Sequence, residues 1–193
     1  MAEAFSNKVA RAAGIVTSTT GGAIGITTNL ITGISTVHVA VNDLVDTGNF
    51  ILGTKVTNIG VSSVTCDRDS TNTAAATNQS VKFLGVTTAY TSTGTKSILV
   101  GGTFANNTSS SVNLTVQVWD NSASTEVAIA GKIPVPNGSS FVITDAGKTV
   151  LESSDEIRIY CDSENAIDAT LSILTGVSSV SYTHLTLPTN REV

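Results

Sequence analysis

Histidine is the side chain on which most hydrolytic sites depend, and the sequence holds two, His38 and His184. A hydrolase needs a nucleophile, a base and a group that orients the base. Serines and threonines are abundant, but no serine has the glycine-flanked spacing of a nucleophile elbow. His38 alternates with Val37 and Val39, which predicts a strand with His38 facing solvent or a partner chain. The sequence therefore predicts a protein without catalysis, in which His38 is a surface contact residue.

Two segments carry the residue types of ion and phosphate sites without the required spacing. Asp67–Asn72 has carboxylates at alternate positions, as calcium loops do. It lacks the glycine at loop position six and the glutamate at position twelve, where Asn72 and Asn78 stand. Gly21–Gly25 is rich in glycine but is not followed by the Lys-Ser/Thr pair of a phosphate-binding loop. We expect no metal ion and no cofactor.

Trp119 and Tyr160 are large aromatic residues on the polar side of alternating segments. An aromatic side chain exposed on a sheet face can anchor a neighbouring subunit or stack against a sugar. The alternative is that another part of the chain covers this face, because large aromatic side chains are usually mostly buried. Trp119, Tyr160 and His38 are the predicted surface contact residues, and both interpretations of the aromatic pair stay open at this point.

Composition excludes several classes of partner. Charged residues make up 13% of the chain and the net charge is −5, with no run of basic residues. Nucleic acid selects clustered Lys and Arg, so we expect no nucleic-acid partner. No segment approaches the ~20 apolar residues that span a bilayer, so we expect no membrane insertion. Residues 1–14 lack the apolar stretch of a secretory signal, which predicts assembly in the cytoplasm.

Alternation of apolar and polar residues dominates the chain after Gly14. It is clearest in Val112–Asp120, Glu156–Asp162 and Ile167–Leu174, where every second residue is apolar. This period is typical of antiparallel strands with one buried and one wet face. Segments rich in Ser, Asn, Asp and Gly separate the strands. The pattern predicts an all-β fold, an antiparallel β-sandwich of jelly-roll type. Cys66 and Cys161 take inward positions in it, which predicts buried free thiols. The alternative is a disulfide between them, which needs an oxidising compartment.

The domain boundaries are predicted from a short internal similarity in the sequence. Gly14–Gly22 resembles Gly85–Thr95, and removing residues 15–85 leaves a β-domain of ordinary size. We therefore predict a sandwich domain of residues 1–14 plus 86–179, with residues 15–85 inserted as a small β module. Glu3–Gly14 has spacing compatible with a helix and equally with an extended arm.

Residues 180–193, VSYTHLTLPTNREV, differ from everything before them. Back-translated, Val180–Thr189 matches the adapter end that transposase-based sequencing libraries attach to DNA fragments. We expect this segment to be a non-native tail, and the gene to come from bulk environmental DNA.

The chain without residues 15–85 resembles a small β-sandwich module of virion proteins in tailed bacteriophages, notably marine ones. The resemblance is carried by FSNKVA, KSILVGGTFANNTSSSVNLTVQVWD, IPVPNGSSFVI, GKTVLESSDEIRIYCDS and IDATLSIL. The insert, from GISTVHVAV to CDRDSTNT, is similar to short modules of phage fibre proteins. These motifs cover residues 1–14 and 86–174, and they are patterns of strand and turn.

The resemblance implies a structural protein of the virion, in a tail, neck or fibre, that acts by self-assembly and by contacts with other virion proteins. The expected partners are further copies of the chain, because repeated identical contacts require closed symmetry. Two alternatives stay open: a capsid decoration protein, and a carbohydrate-binding module in which Trp119 and Tyr160 contact host-surface glycans.

Overall fold

The structure is a computed structural model, and it describes residues 3–94 and 96–177, with only the backbone of residues 145–148. The predicted non-native tail therefore lies outside the described residues. Within them the fold is all-β without a helix, as the alternation predicts. The strands are β1 Ala4–Ala13, β2 Ile15–Ile24, β3 Leu30–Thr32, β4 Leu44–Asp46, β5 Val56–Ile59, β6 Ser63–Cys66, β7 Ala76–Gly85, β8 Thr87–Thr91, β9 Lys96–Asn106, β10 Val112–Asp120, β11 Thr125–Val135, β12 Ser140–Glu152, β13 Glu156–Cys161 and β14 Ile167–Thr175.

Two four-stranded antiparallel sheets form a sandwich. Sheet 1 has the order β1-β14-β9-β12 and sheet 2 the order β11-β10-β13-β8. Their facing sides enclose one apolar core, in which the largest fully buried side chains include Phe104, Leu114, Ile159 and Leu171. The prediction of an antiparallel all-β sandwich is confirmed.

The inward positions follow the period of two. Alternate residues of β10, β13 and β14 are buried in the core, as predicted: Val112, Leu114, Val116, Ile157, Ile159, Cys161, Ile167, Ala169, Leu171 and Ile173. Pro134, which cannot donate to a ladder, lies in the edge strand β11. The prediction that one face of β10 is exposed to solvent is wrong at Thr115 and Gln117, which are buried. A third sheet, formed by strands of residues 15–85, covers this side of sheet 2.

The N-terminal segment is extended and not helical. β1 pairs along its length with β14, from Ala4 opposite Thr175 to Ala10 opposite Ala169. Phe5 and Val9, four residues apart as on a helix face, both remain exposed in this strand. The extended arm, one of the two predictions for this segment, is therefore correct, because β14 offers an unpaired ladder that an isolated short helix could not match.

Sheet 3 contains the strands of residues 15–85 and has the order β4-β7-β2-β3-β6-β5. It packs around its own apolar core, which includes Ile31, Val64, Val81 and Phe83. The chain leaves the sandwich at Gly14 and returns at Val86, and the neighbouring Ile15 and Gly85 are paired across β2 and β7. The three sheets thus divide the chain at the residues where the insertion was predicted, although the division into domains stays a prediction.

The predicted strand around His38 is wrong. Residues 33–43 contain two consecutive turns, with Val39 N–H donating to the Thr36 carbonyl and Asp43 N–H donating to the Ala40 carbonyl. His38 and Asn42 have φ values of 65° and 74°, which lie outside the β region and fit turns. Alternation alone could not show this, because the turn leaves Val37 exposed while Val39 stays buried.

Gly14 is the point where the chain passes from sheet 1 into sheet 3. Its φ is +125°, and a Cβ at this position would collide with the backbone oxygen of Ser163. The N–H of Asn165 donates to the Gly14 carbonyl, which fixes this crossing against the turn before β14. No residue with a side chain fits here without moving backbone.

We expect Gly14→Ala to lower the free energy of unfolding by about 2 to 4 kcal/mol, because it combines a disfavoured φ with a clash against backbone. Urea denaturation followed by tryptophan fluorescence measures the change. Gly48→Ala is the matched control, because a Cβ there meets nothing within 4 Å, and it should shift stability by less than about 0.5 kcal/mol. Equal effects of both substitutions would contradict this account of Gly14.

Candidate functional site

Sheet 3 packs against the side of sheet 2 that points away from the sandwich core. Tyr160 of β13 is 0% exposed and forms a small apolar cluster with Leu44 and Leu84 of sheet 3. The prediction of Tyr160 as a surface contact residue is therefore wrong, and the alternative of a covered face describes it. The physical reason is that the inserted strands use the aromatic ring as part of their own contact with the sandwich.

Trp119 is half-buried at the end of β10. The guanidinium carbon of Arg158 lies 4.3 Å from the centre of its ring, and Arg158 Nε donates to Glu156 Oε2 at 2.7 Å. A guanidinium stacked over indole is a favourable cation–π contact. One face of the Trp119 ring is consequently occupied by the protein's own cation.

A charged cluster lies beneath sheet 3. The side chain of Glu126, on β11, is only 4% exposed, and its carboxylate lies 2.7 Å from Lys55 Nζ and 3.8 Å from Arg158. Lys55 belongs to the inserted segment, whereas Glu126 and Arg158 belong to sheet 2. A carboxylate this buried requires a paired cation. The cluster therefore ties the insert to the sandwich, and we call it the seam cluster.

Further polar contacts extend the same contact between the two parts. Lys132 Nζ lies 2.8 Å from Asp46 Oδ1, and Lys82 Nζ donates to the Asp162 carbonyl at 3.0 Å. Between these contacts lies a cavity of about 20 Å³, lined by residues of both parts. A cavity of this size holds one water molecule and no larger ligand.

Burial raises the pKa values of two acidic groups at this contact, Tyr160 and Asp43. Burial raises the pKa of Tyr160, the carboxylate of Glu126 adds to the shift and the guanidinium of Arg158 opposes it. Burial likewise raises the pKa of Asp43, although the Ala40 N–H that donates to its carboxylate at 2.8 Å acts in the opposite direction. The arrangement stabilises the packing of two sheets and presents no activated nucleophile.

His38 is exposed in the turns of residues 33–43, where its carbonyl accepts a hydrogen bond from Thr17 Oγ1 at 3.1 Å. His38 lies beside β2 in sheet 3, whereas Tyr160 is fully buried and Arg158 covers one face of the Trp119 ring. The three predicted contact residues therefore form no common site.

The acidic segment Asp67–Asn72 serves the fold of the insert. Asp67 Oδ1 accepts from the N–H of Lys55 at 2.8 Å, and the buried Ser70 hydroxyl donates to the Gly25 carbonyl at 2.8 Å. Across residues 3–94 and 96–177, no three His, Cys, Asp or Glu side chains lie close enough to hold a metal ion.

Sequence analysis did not find the seam cluster. Glu126 follows the polar turn after Trp119 and looks like an ordinary solvated residue of an edge strand. Lys55 and Glu126 are far apart in the sequence and lie in segments assigned to different domains. The one signal available was Trp119, because an aromatic residue on a polar side indicates that something covers it.

The two cysteines are buried free thiols in separate cores, as predicted. Cys66 lies in the core of sheet 3 and Cys161 in the sandwich core. Burial raises the pKa of each thiol to about 12, and the neighbouring carboxylates of Asp67 and Asp162 add to the two shifts.

Comparison with known proteins assigns no family to this architecture. No known family matches the chain, and neither a curated protein nor a solved structure is significantly similar to it. The part of the chain that the structure describes contains no helix long and apolar enough to cross a membrane.

We expect Glu126→Gln to destabilise the protein by about 2 to 3 kcal/mol, because it leaves the partly buried Lys55 without its counter-charge and Arg158 with Glu156 alone. Chemical denaturation measures the loss. Glu152→Gln is the control, since the Lys96–Glu152 pair is about half exposed at 49% and 59% and should contribute less than about 1 kcal/mol.

A double variant separates the ion pair from simple packing. Lys55→Met with Glu126→Leu should lose less stability than the sum of the single changes, because apolar groups replace both charges at once. Strictly additive losses would show that Lys55 and Glu126 do not interact.

Because burial raises the pKa of both thiols, we expect the free energy of unfolding to fall at alkaline pH. Thiols of the unfolded chain ionise near their ordinary pKa of 9.0, whereas those of the folded chain resist until about 12. The folded state then binds more protons, so stability is complete below pH 9 and falls above it by about 1.4 kcal/mol per pH unit for each thiol.

Denaturation curves between pH 8 and 11, compared with those of a Cys66→Val, Cys161→Val variant, isolate this contribution. The variant should lose less stability over that range than the unmodified protein. At pH 8, a thiol reagent should label neither cysteine until the protein is unfolded. Rapid labelling of the native protein would disprove the assigned burial.

Proposed function

We propose that the protein is a non-enzymatic structural component of a phage virion, in a tail, neck or fibre, that acts through self-assembly and contacts with other particle proteins. The proposal draws on the resemblance of its strand and turn motifs to virion modules. It also draws on the surface that the fold exposes.

The observation that carries the proposal is the combination of few charges and many exposed apolar side chains. Charged residues are 13% of the chain, about half of the usual share. Large hydrophobic residues are exposed on both parts of the molecule: Phe5, Val9, Ile15, Ile26, Leu30, Val37, Val41, Ile51, Leu52, Val61, Val127, Val142 and Val150. A surface of hydroxyl and apolar groups is typical of a subunit that neighbouring subunits cover.

The seam cluster supports the same role. Because Lys55 pairs with Glu126 and Lys132 with Asp46, the insert has a fixed place on the sandwich. Each copy can then present its two β units in the same relative position. Repeated identical contacts, as in a ring or fibre, depend on such uniform copies.

The carbohydrate-binding alternative loses its proposed platform. Tyr160 is fully buried, and Arg158 lies over the ring of Trp119. Two aromatic rings are therefore not available together to stack against a sugar, and no other group of described aromatic residues replaces them.

Light scattering after size exclusion, combined with negative-stain electron microscopy, tests the proposal on the purified chain. We expect a closed oligomer, a trimer for a fibre or a larger ring for a neck or tail. A chain that stays monomeric over a concentration series would contradict self-assembly and favour a decoration protein that requires the capsid lattice.

A further inference from the structure

The side of sheet 1 that points away from the sandwich core carries no other part of the described chain. Its side chains are the alternate residues of β1, β14, β9 and β12 that do not enter the core. Hydrogen-bonded register across the four strands places these residues in straight rows, because opposite residues of neighbouring strands point to the same face.

One row is apolar from edge to edge. Phe5 is opposite Leu174, Leu174 is opposite Ile98, and Ile98 is opposite Val150. The two outer members, Phe5 and Val150, are 72% and 51% exposed. Four apolar side chains thus form a continuous band across the whole sheet.

A second row has apolar residues only at its ends. Val9, Thr170, Thr103 and Val142 lie opposite one another in that order, and Val9 and Val142 are 74% and 47% exposed. Between the two rows lie Asn7, Ser172, Gly101 and Thr144. The face therefore consists of one row of apolar side chains beside small, mostly polar uncharged residues.

Charge on this face is confined to its ends among the side chains that the structure describes. Lys96 and Glu152 pair with each other beyond the apolar row, and Asp168 accepts from the Ala12 N–H at the opposite end. Among the described side chains between the two rows, a strongly charged partner would find no complementary charge. The chemistry selects a flat, uncharged partner surface.

The area is sufficient for a specific contact. Four strands about 4.8 Å apart, each extending about 25 Å along this face, give roughly 500 Å² of surface. Two such faces in contact bury roughly 1,000 Å², near the lower limit for a stable interface between proteins.

We propose that this face pairs with the same face of a second copy of the chain, about a two-fold axis that runs along the strands between the two sheets. The inference rests on the proposed function and deepens it by naming the partner and the surface. Such two-fold pairs are the units from which a larger closed ring of dihedral symmetry is built. With this axis, β1 of one copy lies over β12 of the other. Phe5 then meets the partner's Val150, Leu174 meets the partner's Ile98, and Val9 meets the partner's Val142.

The two-fold arrangement is self-complementary in size and in chemistry. At both ends of the apolar row, the large Phe5 ring lies opposite the smaller side chain of the partner's Val150. In the second row, Thr170 lies opposite the partner's Thr103. An axis perpendicular to the strands through the middle of the face would instead place Leu174 and Ile98 over threonines, and one through the apolar row would leave the row of Val9 and Val142 without an opposite row. Packing of apolar on apolar residues therefore favours the axis along the strands.

Cross-linking between two variants that each add one exposed cysteine tests the register. Val9→Cys and Val142→Cys proteins, prepared separately in the full chain, should be joined by a short bis-maleimide only after they are mixed. Each variant alone should stay uncross-linked, because Cys at position 9 meets valine of its partner. The unmodified protein is the background control, since both of its thiols are buried.

Charged substitutions test the contact without cross-linking. Phe5→Asp and Val150→Lys should each dissociate the pair, because each buries an unpaired charge. Mixing the two variants should restore a heterodimer, in which one contact is Asp to Lys and the other is unchanged. Val61→Asp is the control, because Val61 is 99% exposed in the insert and should leave association unaltered.

The outcomes separate this inference from the proposed function. Cross-linking on mixing, together with rescue by the opposite charges, supports the paired face. Oligomers that persist in Phe5→Asp, or cross-linking within Val9→Cys alone, would overturn the paired face and leave self-assembly standing. An unmodified chain that never associates would overturn both.

Discussion

The buried carboxylate of Glu126 is the constraint on which the arrangement of the molecule depends. Its side chain is 4% exposed and lies 2.7 Å from the ammonium of Lys55. Removing the insert would leave this carboxylate with Arg158 alone, at 3.8 Å. This pairing, together with that of Lys132 and Asp46, links the core of the insert to the core of the sandwich. The apolar contact of Tyr160 with Leu44 and Leu84 then follows from the same docking.

Local periodicity predicted the sandwich well because the burial of its core is local information. The inward residues of β10, β13 and β14 alternate strictly, and the buried thiol of Cys161 follows from the same rule. The strand prediction was wrong at residues 33–43, because positive φ values at His38 and Asn42 produce turns whose residues still alternate in hydropathy. The N-terminal segment could not be decided from its spacing, since the unpaired edge of β14 selects the strand.

The candidate site could not be predicted for a different reason. The partners of Glu126 are set by how sheet 3 docks on sheet 2, and no short stretch of sequence encodes that docking. Tyr160 shows the limit most clearly, because its position on the polar side of a strand was identified correctly and its exposure was not. The rows across sheet 1 have the same origin: Phe5 and Val150 become neighbours in one band only through the register of four strands.

The insert leaves and re-enters the sandwich through adjacent positions, with Ile15 paired to Gly85. Such neighbouring junctions make residues 15–85 a cassette that recombination can exchange without disturbing the path of the remaining strands. The exchange carries one chemical condition. Any replacement cassette must bring its own cation to the place of Lys55, or arrive together with a neutral residue at position 126. A module at this end of the molecule must therefore carry a positive charge at the place of Lys55, unless residue 126 changes with it.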